Sequence, residues 1–332
     1  MDKLPKLDLK DRRILAALDM HARMPLGELA KRVGVSRQVA AYRTDRMKKD
    51  GIILGALAIF DSVVVGYNWF RVVLRLGGAG TKQKNEVLDF LSNHQHALWV
   101  GEVGGNWDVV VNFVTKDIYE FNNVFEDFLS KYGIFVKAYE TLVYVHVRDL
   151  PRNYILDNKK EKIEYTEFDH QMKFNPALEL DEIDKKIIAV ISRDASLSSW
   201  QIAAKAGVSD KTVSARIKKM EESKLILGYR LLIHPSAIGY ESYMIFLGVN
   251  NLQAERENEL INFVRSGPNI TFLVKHIGRW RIGMEIEVKN RVEFQDYLVQ
   301  LRDKFGDIIS DFETFPIFKD RVFNYFPAGN LD

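Results

Sequence analysis

The chain has no cysteine among its 332 residues. Disulfide bonds and thiolate metal sites are therefore excluded, and no metal or cofactor is predicted. No apolar run approaches the ~18 residues that a membrane-spanning helix needs. The N-terminal segment MDKLPKLDLKDRR also lacks the apolar core of a signal peptide, so the sequence predicts a cytoplasmic protein with no membrane partner.

The formal net charge is only +2, which by itself does not indicate a nucleic-acid partner. The charge is unevenly distributed, because residues 1–60 carry 13 Lys and Arg against 7 Asp and Glu. A positive field is therefore expected at one end of the molecule. A hydrophobic content of 47% indicates a globular protein, and the length suits two to four domains.

Two stretches, residues 26–51 and 199–224, each predict a short helix, a tight turn and a second helix. Gly34 and Gly207 suit the left-handed backbone that ends a helix, and Ser36 and Ser209 are suited to cap the next one. Each second helix has an apolar side, while its other faces are cationic and match the DNA major groove. A solvated helix face is the alternative, but the pattern occurs twice. The predicted DNA contacts are Arg37, Gln38, Arg43, Arg46 and Lys48, and in the second copy Lys211, Thr212, Arg216, Lys218 and Lys219.

The order of the segments predicts an α+β protein with two winged helix-turn-helix domains and two ferredoxin-like βαββαβ domains. Apolar residues after Ile52 predict a short hairpin as the wing. Strands with apolar residues on both faces predict that each sheet is covered by another sheet. The predicted bounds are a helix-turn-helix domain at 1–68, a βαββαβ domain at 69–148, a connector at 149–178, and the second pair of domains at 179–241 and 242–326.

The second half of the chain repeats the first at a fixed offset of 173 residues. The offset maps Gly34 to Gly207 and Trp107 to Trp280, and it holds across both kinds of domain without a gap. An internal duplication is the simplest cause. The sequence therefore predicts a pseudo-dimer within one chain, which we expect to assemble into a higher homo-oligomer.

Several motifs resemble those of the Lrp/AsnC, or feast/famine, transcription regulators. They include Asp8-Leu-Lys-Asp11, Glu28-Leu-Ala30 with Gly34-Val-Ser36, Arg43 ahead of Gly51-Ile52, Gly66-Tyr67, and Gly104-Gly-Asn-Trp-Asp108. The resemblance covers nearly the whole chain twice. It implies a sequence-specific regulator that binds double-stranded DNA, with a βαββαβ domain that dimerises through its sheet and binds small effectors, often amino acids.

The resemblance also implies effector-binding turns, and here the two copies differ. The first keeps the family's Gly-x-x-Asp pattern, whereas the second ends in Arg281, which leaves an amino acid, an anion or no ligand possible there. A core position is the alternative for the two tryptophans. The predicted effector-binding residues are Gly105, Trp107, Asp108, Gly278, Trp280 and Arg281.

No catalytic motif is evident, so the sequence predicts that the protein is not an enzyme. One enzymatic alternative comes from sirohaem decarboxylases, which share this two-domain build. In that reading His94 and His96, with basic residues, would hold a carboxylate-rich tetrapyrrole. A solvated loop is the alternative for these histidines. The less basic second helix-turn-helix also leaves open an assembly role without DNA contact.

Overall fold

A computed structural model describes residues 6–78, 80–156, 166–173, 178–250, 253–323 and 325–326. The first copy contains α1 (Leu9–Asp19), α2 (Leu26–Val33), α3 (Arg37–Lys49), β1 (Ile53–Phe60), β2 (Asn68–Leu76), α4 (Thr81–Ser92), β3 (Ala97–Val103), β4 (Val109–Thr115), α5 (Ile118–Tyr132) and β5 (Val136–Asp149). After β6 (Phe168–Gln171), the second copy contains α6 (Glu182–Ile191), α7 (Ser199–Ala206), α8 (Asp210–Glu222), β7 (Ile226–Ile233), β8 (Glu241–Val249), α9 (Ala254–Arg265), β9 (Ile270–Ile277), β10 (Ile282–Val288), α10 (Arg291–Phe305) and β11 (Ile309–Phe323). The predicted α+β class is confirmed.

The predicted wing hairpin is wrong. Residues 53–60 form the single strand β1, which pairs antiparallel with β7 of the other copy, with Ala58 opposite Tyr229. The sequence shows an apolar extended segment but does not show that its partner lies about 170 residues away. The resulting two-stranded ribbon joins the two helix-turn-helix units to each other.

The eight long strands of the two βαββαβ units form one closed antiparallel barrel. Its order is β2, β4, β3, β11, β8, β10, β9 and β5, and β5 returns to β2. Closure depends on β5 and β11, each of which pairs with its own sheet along one part and with the other sheet along the rest. The inner face of each sheet is thus covered by the other, as the strand pattern predicts, and no open seam remains between the two halves.

The helices α4, α5, α9 and α10 lie outside the barrel and bury its outer face. Their apolar residues include Leu88 and Phe128 in the first copy and Leu260 and Phe305 in the second. Part of the predicted connector is also buried, because β6 adds to β5 and Phe168 is only 5% exposed. No described helix is both long enough and apolar enough to cross a bilayer.

Candidate functional site

The turn chemistry predicted from sequence positions both second helices. Gly34 ends α2 with φ 73°, and the Ser36 hydroxyl oxygen accepts the Val39 backbone N–H at 3.2 Å. In the second copy Gly207 ends α7 with φ 70°, and the Ser209 hydroxyl oxygen accepts the Thr212 N–H at 3.1 Å. In each helix the serine hydroxyl thus accepts a hydrogen bond from a backbone N–H of the first turn. No other part of the protein is needed to cap the helix, so its first turn can stay exposed.

The start of α3 presents an exposed polar surface. Arg37 and Gln38 in its first turn are exposed, and so is Lys48 in its last turn. Tyr42 is 69% exposed on the same helix and was missed from sequence. Its position four residues after Gln38 places it on the same helical face, and that spacing is the signal that could have identified it.

Two other arginines of α3 form ion pairs with α1, a structural role that the sequence did not predict. Arg43 Nη1 bonds to Asp8 at 2.7 Å and to Asp11 at 2.8 Å, and Arg46 Nη2 lies 2.6 Å from the buried Asp11 carboxylate. Burial opposes ionisation of Asp8, but the Asp11 backbone N–H and the Arg43 guanidinium outweigh it and lower the pKa of Asp8 to about 2. These carboxylates form the capping box of α1. Arg43 and Arg46 therefore fasten α3 to α1.

The second copy repeats this arrangement. Arg216 Nη1 bonds to Asp181 at 2.6 Å and to Asp184 at 3.1 Å, so Arg216 links α8 to the start of α6. The Thr212 hydroxyl is engaged with the Ser209 hydroxyl at 2.7 Å. Lys211 and Lys219 are exposed. Lys218 lies 3.8 Å from Glu222 and borders a groove that α8 shares with α2 of the first unit.

The predicted effector-binding turns lie at one end of the barrel. Gly105 and Gly278 belong to the β3–β4 and β9–β10 turns, and Trp107 and Trp280 point inward. The two indole rings meet edge to face, with centroids 5.9 Å apart. Trp280 is fully buried, so the alternative of a core position describes both tryptophans.

The charge difference between Asp108 and Arg281 is matched by a second difference. In the first copy Lys84 Nζ lies 3.6 Å from the Asp108 carboxylate. In the second copy the residue equivalent to Lys84 is Glu257, which accepts hydrogen bonds from Arg281 at 2.9 and 3.1 Å. The ion pair is kept with its signs exchanged. Arg281 therefore has a partner within its own unit and does not by itself indicate an anionic ligand.

The barrel interior contains ionisable groups that the sequence analysis did not identify. Arg71 is 1% exposed, and its Nε donates to the Asn112 side-chain oxygen at 2.8 Å. Among the described residues no carboxylate lies within 4.0 Å of it, and its Nη2 has no hydrogen-bond partner. The equivalent residue in the second copy is Met244. The repeat could have revealed Arg71, because a strand position that is apolar in the second copy is charged in the first.

A carboxylate lies further along the same interior. Glu285 has no hydrogen-bond or ion-pair partner among the described residues; burial, and then the nearby Asp320, raises its pKa to about 7. Next to Arg71 is the fully buried His276, whose pKa is held well below its usual value by burial and by the Arg71 charge. The interior thus combines a guanidinium and a carboxyl group that are both incompletely paired.

A cavity of about 60 Å³ lies between these groups and the β1–β7 ribbon. By volume it holds about five water molecules, or a ligand with a similar number of non-hydrogen atoms. Arg152 lines it and connects two parts of the molecule, because its guanidinium bonds to Asp19 at the end of α1 and to Glu287 on β10. The other polar and aromatic lining residues are Trp69, Trp99, Asn112, Asp149, Arg230, Thr271, Phe272, Glu285, Phe323 and Tyr325.

His94 and His96 do not face this cavity. His96 Nδ1 donates to the Val114 carbonyl oxygen at 3.0 Å, and the His94 ring packs against Phe90 and Phe113 on the helix-covered side of the sheet. The two imidazoles that are almost completely buried belong instead to His276 on β9 and His170 on β6. Within the described ranges no group of three His, Asp or Glu side chains could hold a metal ion.

Comparison with known proteins identifies both helix-turn-helix units. Residues 180–221 match the AsnC-type helix-turn-helix domain, and residues 7–53 match a winged helix-turn-helix DNA-binding domain. The HTH-type transcriptional regulator FL11 of Pyrococcus horikoshii is 31% identical over 119 residues, which are 78% of that protein and 36% of this chain. This chain belongs to the Lrp/AsnC family. The leucine-responsive regulatory protein of Rhizobium meliloti is 27% identical over 126 residues, or 80% of its length and 37% of this chain.

Each of these relatives matches about one copy of the Lrp/AsnC unit, which agrees with the duplication. A solved structure matches the whole chain: the sirohaem decarboxylase NirDL, in complex with an iron-uroporphyrin III analogue, covers 96% of this chain and 94% of its own. The TM-score is 0.60 and the identity is 14%. At that identity the likeness establishes a shared fold for the duplicated Lrp/AsnC chain and nothing about chemistry.

Proposed function

We propose that the protein is a sequence-specific DNA-binding transcriptional regulator in which one chain carries the two helix-turn-helix units of a family dimer. Exposed residues at the start of α3, Arg37 and Gln38, would read bases in the major groove. Lys48 would contact phosphate, as would Lys211 and Lys219 in the second unit. The observation that carries the proposal is a pair of capped helices, α3 and α8. Their first turns are exposed, while Arg43 and Arg216 on their other side form ion pairs with α1 and α6.

The two units differ in the strength of DNA contact that we expect. The start of α8 offers Lys211, but Asp210 precedes it and the Thr212 hydroxyl is already bonded to Ser209. Residues 175–233 carry 10 Lys and Arg against 8 Asp and Glu. The first unit therefore supplies most of the specificity, and the second adds mainly phosphate contacts that depend on salt.

Gel-shift titrations with specific and random duplexes test this division of roles. Arg37→Ala should weaken binding to the specific duplex by ~1–3 kcal/mol while leaving random binding nearly unchanged. Lys48→Ala should weaken both alike. Equal losses on both duplexes for Arg37→Ala would contradict base reading by α3.

A small effector in the barrel cavity is the second element of the proposal. The unpaired Glu285 carboxyl group suits an ammonium, and the Asn112 and Arg230 N–H groups suit a carboxylate, so a compact amino acid matches the cavity in size and polarity. Arg152 would transmit occupancy, because it touches the cavity and also holds the end of α1. Calorimetry with a panel of small amino acids and carboxylates, on the wild-type chain and Glu285→Gln, tests the site. Binding that Glu285→Gln leaves unchanged would place the effector elsewhere.

An enzyme of the sirohaem decarboxylase kind is the alternative that the shared fold favours. The barrel cavity is much smaller than a tetrapyrrole. His94 lines a separate open groove of about 650 Å³, but His96 does not, and Glu86, Asp89 and Asp127 in that groove suit a carboxylate-rich ligand poorly. Titration with sirohaem provides the test. A shifted absorbance band together with release of carbon dioxide would favour the enzyme over the regulator.

A further inference from the structure

The internal duplication allows one half of the molecule to be compared with the other. In the first half β6 pairs antiparallel with β5, with Phe168 opposite Asp149 and Asp169 opposite Arg148. It occupies the edge of β5 that β2 no longer covers, because β2 reaches only Val143. The equivalent part of β11 is 319–322. One edge of this part pairs with β3. The other edge, here called the outer edge, pairs with β8 only as far as Pro316, and among the described residues no strand pairs with it beyond that point.

A glycine marks the position of β6 in the first half. A Cβ at Gly228 would lie 2.3 Å from the Phe168 ring, so only glycine lets that ring lie flat against β7. The equivalent residue in the other half is Gly55, and no atom of the described residues lies within 4 Å of the position that its Cβ would take. The glycine is present in both halves, but among the described residues only Gly228 has an aromatic ring, that of Phe168, packed against it.

The surroundings of Gly55 are apolar and open. Leu54 is 55% exposed and Phe318 is 70% exposed, although both are large apolar side chains. Together with Tyr243 and Pro316 they form the apolar part of a surface groove beside β11, which is also lined by Glu241, Arg291, Lys319 and Asp320. An unpaired strand edge next to an apolar groove is the arrangement that accepts an added strand from a peptide.

The charges of the occupied half indicate which peptide would fit. Asp169, directly after Phe168, accepts from His146 and lies 3.9 Å from Arg148. The equivalent residues on β11 are Lys319 and Arg321, so both positions keep a cationic or basic side chain. Arg321 is already bonded to Glu102, whereas Lys319 is exposed and has no ion-pair partner among the described residues. Of these two residues, Lys319 is therefore the one that is available to a partner.

We propose that the outer edge of β11, with Leu54, Gly55 and Lys319, binds an extended peptide segment of another polypeptide. The segment adds as an antiparallel strand, places an aromatic side chain on Gly55 and places the acidic residue that follows it beside Lys319. The ladder hydrogen bonds supply affinity, and the aromatic–acidic pair supplies selection.

The chain's own β6 sequence provides the probe. A fluorescein-labelled peptide of residues 166–173, TEFDHQMK, is titrated with the full-length protein and followed by fluorescence anisotropy. We expect saturable binding that falls about tenfold when Lys319→Glu reverses the charge beside the acidic residue. A peptide with alanine in place of phenylalanine should bind about tenfold more weakly as well. Lys82→Glu, on the exposed surface of α4, is the matched control and should leave binding unchanged.

Hydrogen exchange locates the bound peptide. The expected result is slower exchange of backbone amides in 317–323 when the peptide is present, with β5 and β6 unaffected. Lack of saturable binding would overturn the proposal. So would binding that Lys319→Glu does not weaken, or protection confined to β5, because the peptide would then be exchanging with β6 in the occupied half. Circular dichroism of Lys319→Glu confirms that a lost signal is not lost folding.

Discussion

At the scale of single residues, the exchanged ion pair gives a direct test of the duplicated architecture. Asp108→Arg places a guanidinium beside Lys84 and removes the acceptor for the Leu76 backbone N–H, which is bonded at 2.8 Å. We expect a loss of ~1–2 kcal/mol in the free energy of unfolding. Adding Lys84→Glu recreates the arrangement of the second copy and should recover part of that loss.

A double-mutant cycle from urea unfolding measures this recovery as a coupling energy between the two substitutions. Its favourable sign is the prediction, and a coupling near zero would mean that the two charge differences arose independently. The single variant Lys84→Glu is the necessary third corner, and we expect it to be destabilising because two carboxylates then face each other.

Glu285 gives a prediction for the dependence of stability on pH. Burial raises its pKa from 4.5 to about 7, so between these pH values the folded chain holds a proton that the unfolded chain has released. The free energy of unfolding therefore falls as pH rises through this window, by up to ~3 kcal/mol, and is level above it. Glu285→Gln should remove this part of the slope, whereas Glu86→Gln on the surface should not. Parallel wild-type and Glu285→Gln curves of unfolding free energy against pH would contradict the assignment.

The caps were predictable from sequence because they depend on neighbouring residues. Ser36 and Ser209 act within three positions of themselves, and each turn glycine lies two residues before its serine. The surroundings of Arg71 were not predictable, because residues of the opposite sheet, including Met244 and Phe246, help to form them. The links that Arg43 and Arg216 make between helices were not predicted for a related reason. Their carboxylate partners lie more than 30 residues earlier, on a different helix.

At the scale of secondary-structure elements, β6 is the segment whose importance the sequence hides. Phe168→Ala should cost ~3 kcal/mol in the free energy of unfolding, because it removes a buried ring from the contact with β7. Phe318→Ala is the matched control on the open half. Its ring is 70% exposed, so we expect a change within ~0.5 kcal/mol. Thermal and urea unfolding measure both, and similar effects from the two variants would show that β6 contributes little.

The helices and the strands of the barrel follow from apolar periodicity and from the turn residues, and the repeat doubles that information. The pairing of β1 with β7 does not follow, because an apolar strand carries no record of a partner about 170 residues away. The position of β6 is hidden for the same reason. Its residues alternate between buried and exposed, but only over four positions within a polar segment.

At the scale of the whole molecule, barrel closure predicts how the two halves behave when separated. Residues 1–156 alone would expose the inner sheet face that carries Val73 and Trp99, so we expect this half to self-associate. The resulting dimer should be less stable than the intact chain, because two copies of Arg71 would face a common interior without Glu285. Co-expression with residues 166–332 should restore a one-to-one complex. Light scattering gives the masses, and a well-folded monomer of residues 1–156 would contradict the account.

The central claim is that a capped helix of the first unit, α3, reads DNA sequence. Selection of bound DNA from a pool of random duplexes tests this claim most directly. The account predicts enrichment of a defined sequence, an affinity for it that falls steeply as salt rises, and loss of the enrichment in Arg37→Ala but not in Arg43→Lys, whose side chain serves the α1 clamp. A pool that remains random after repeated selection, with binding that does not respond to salt, would contradict it.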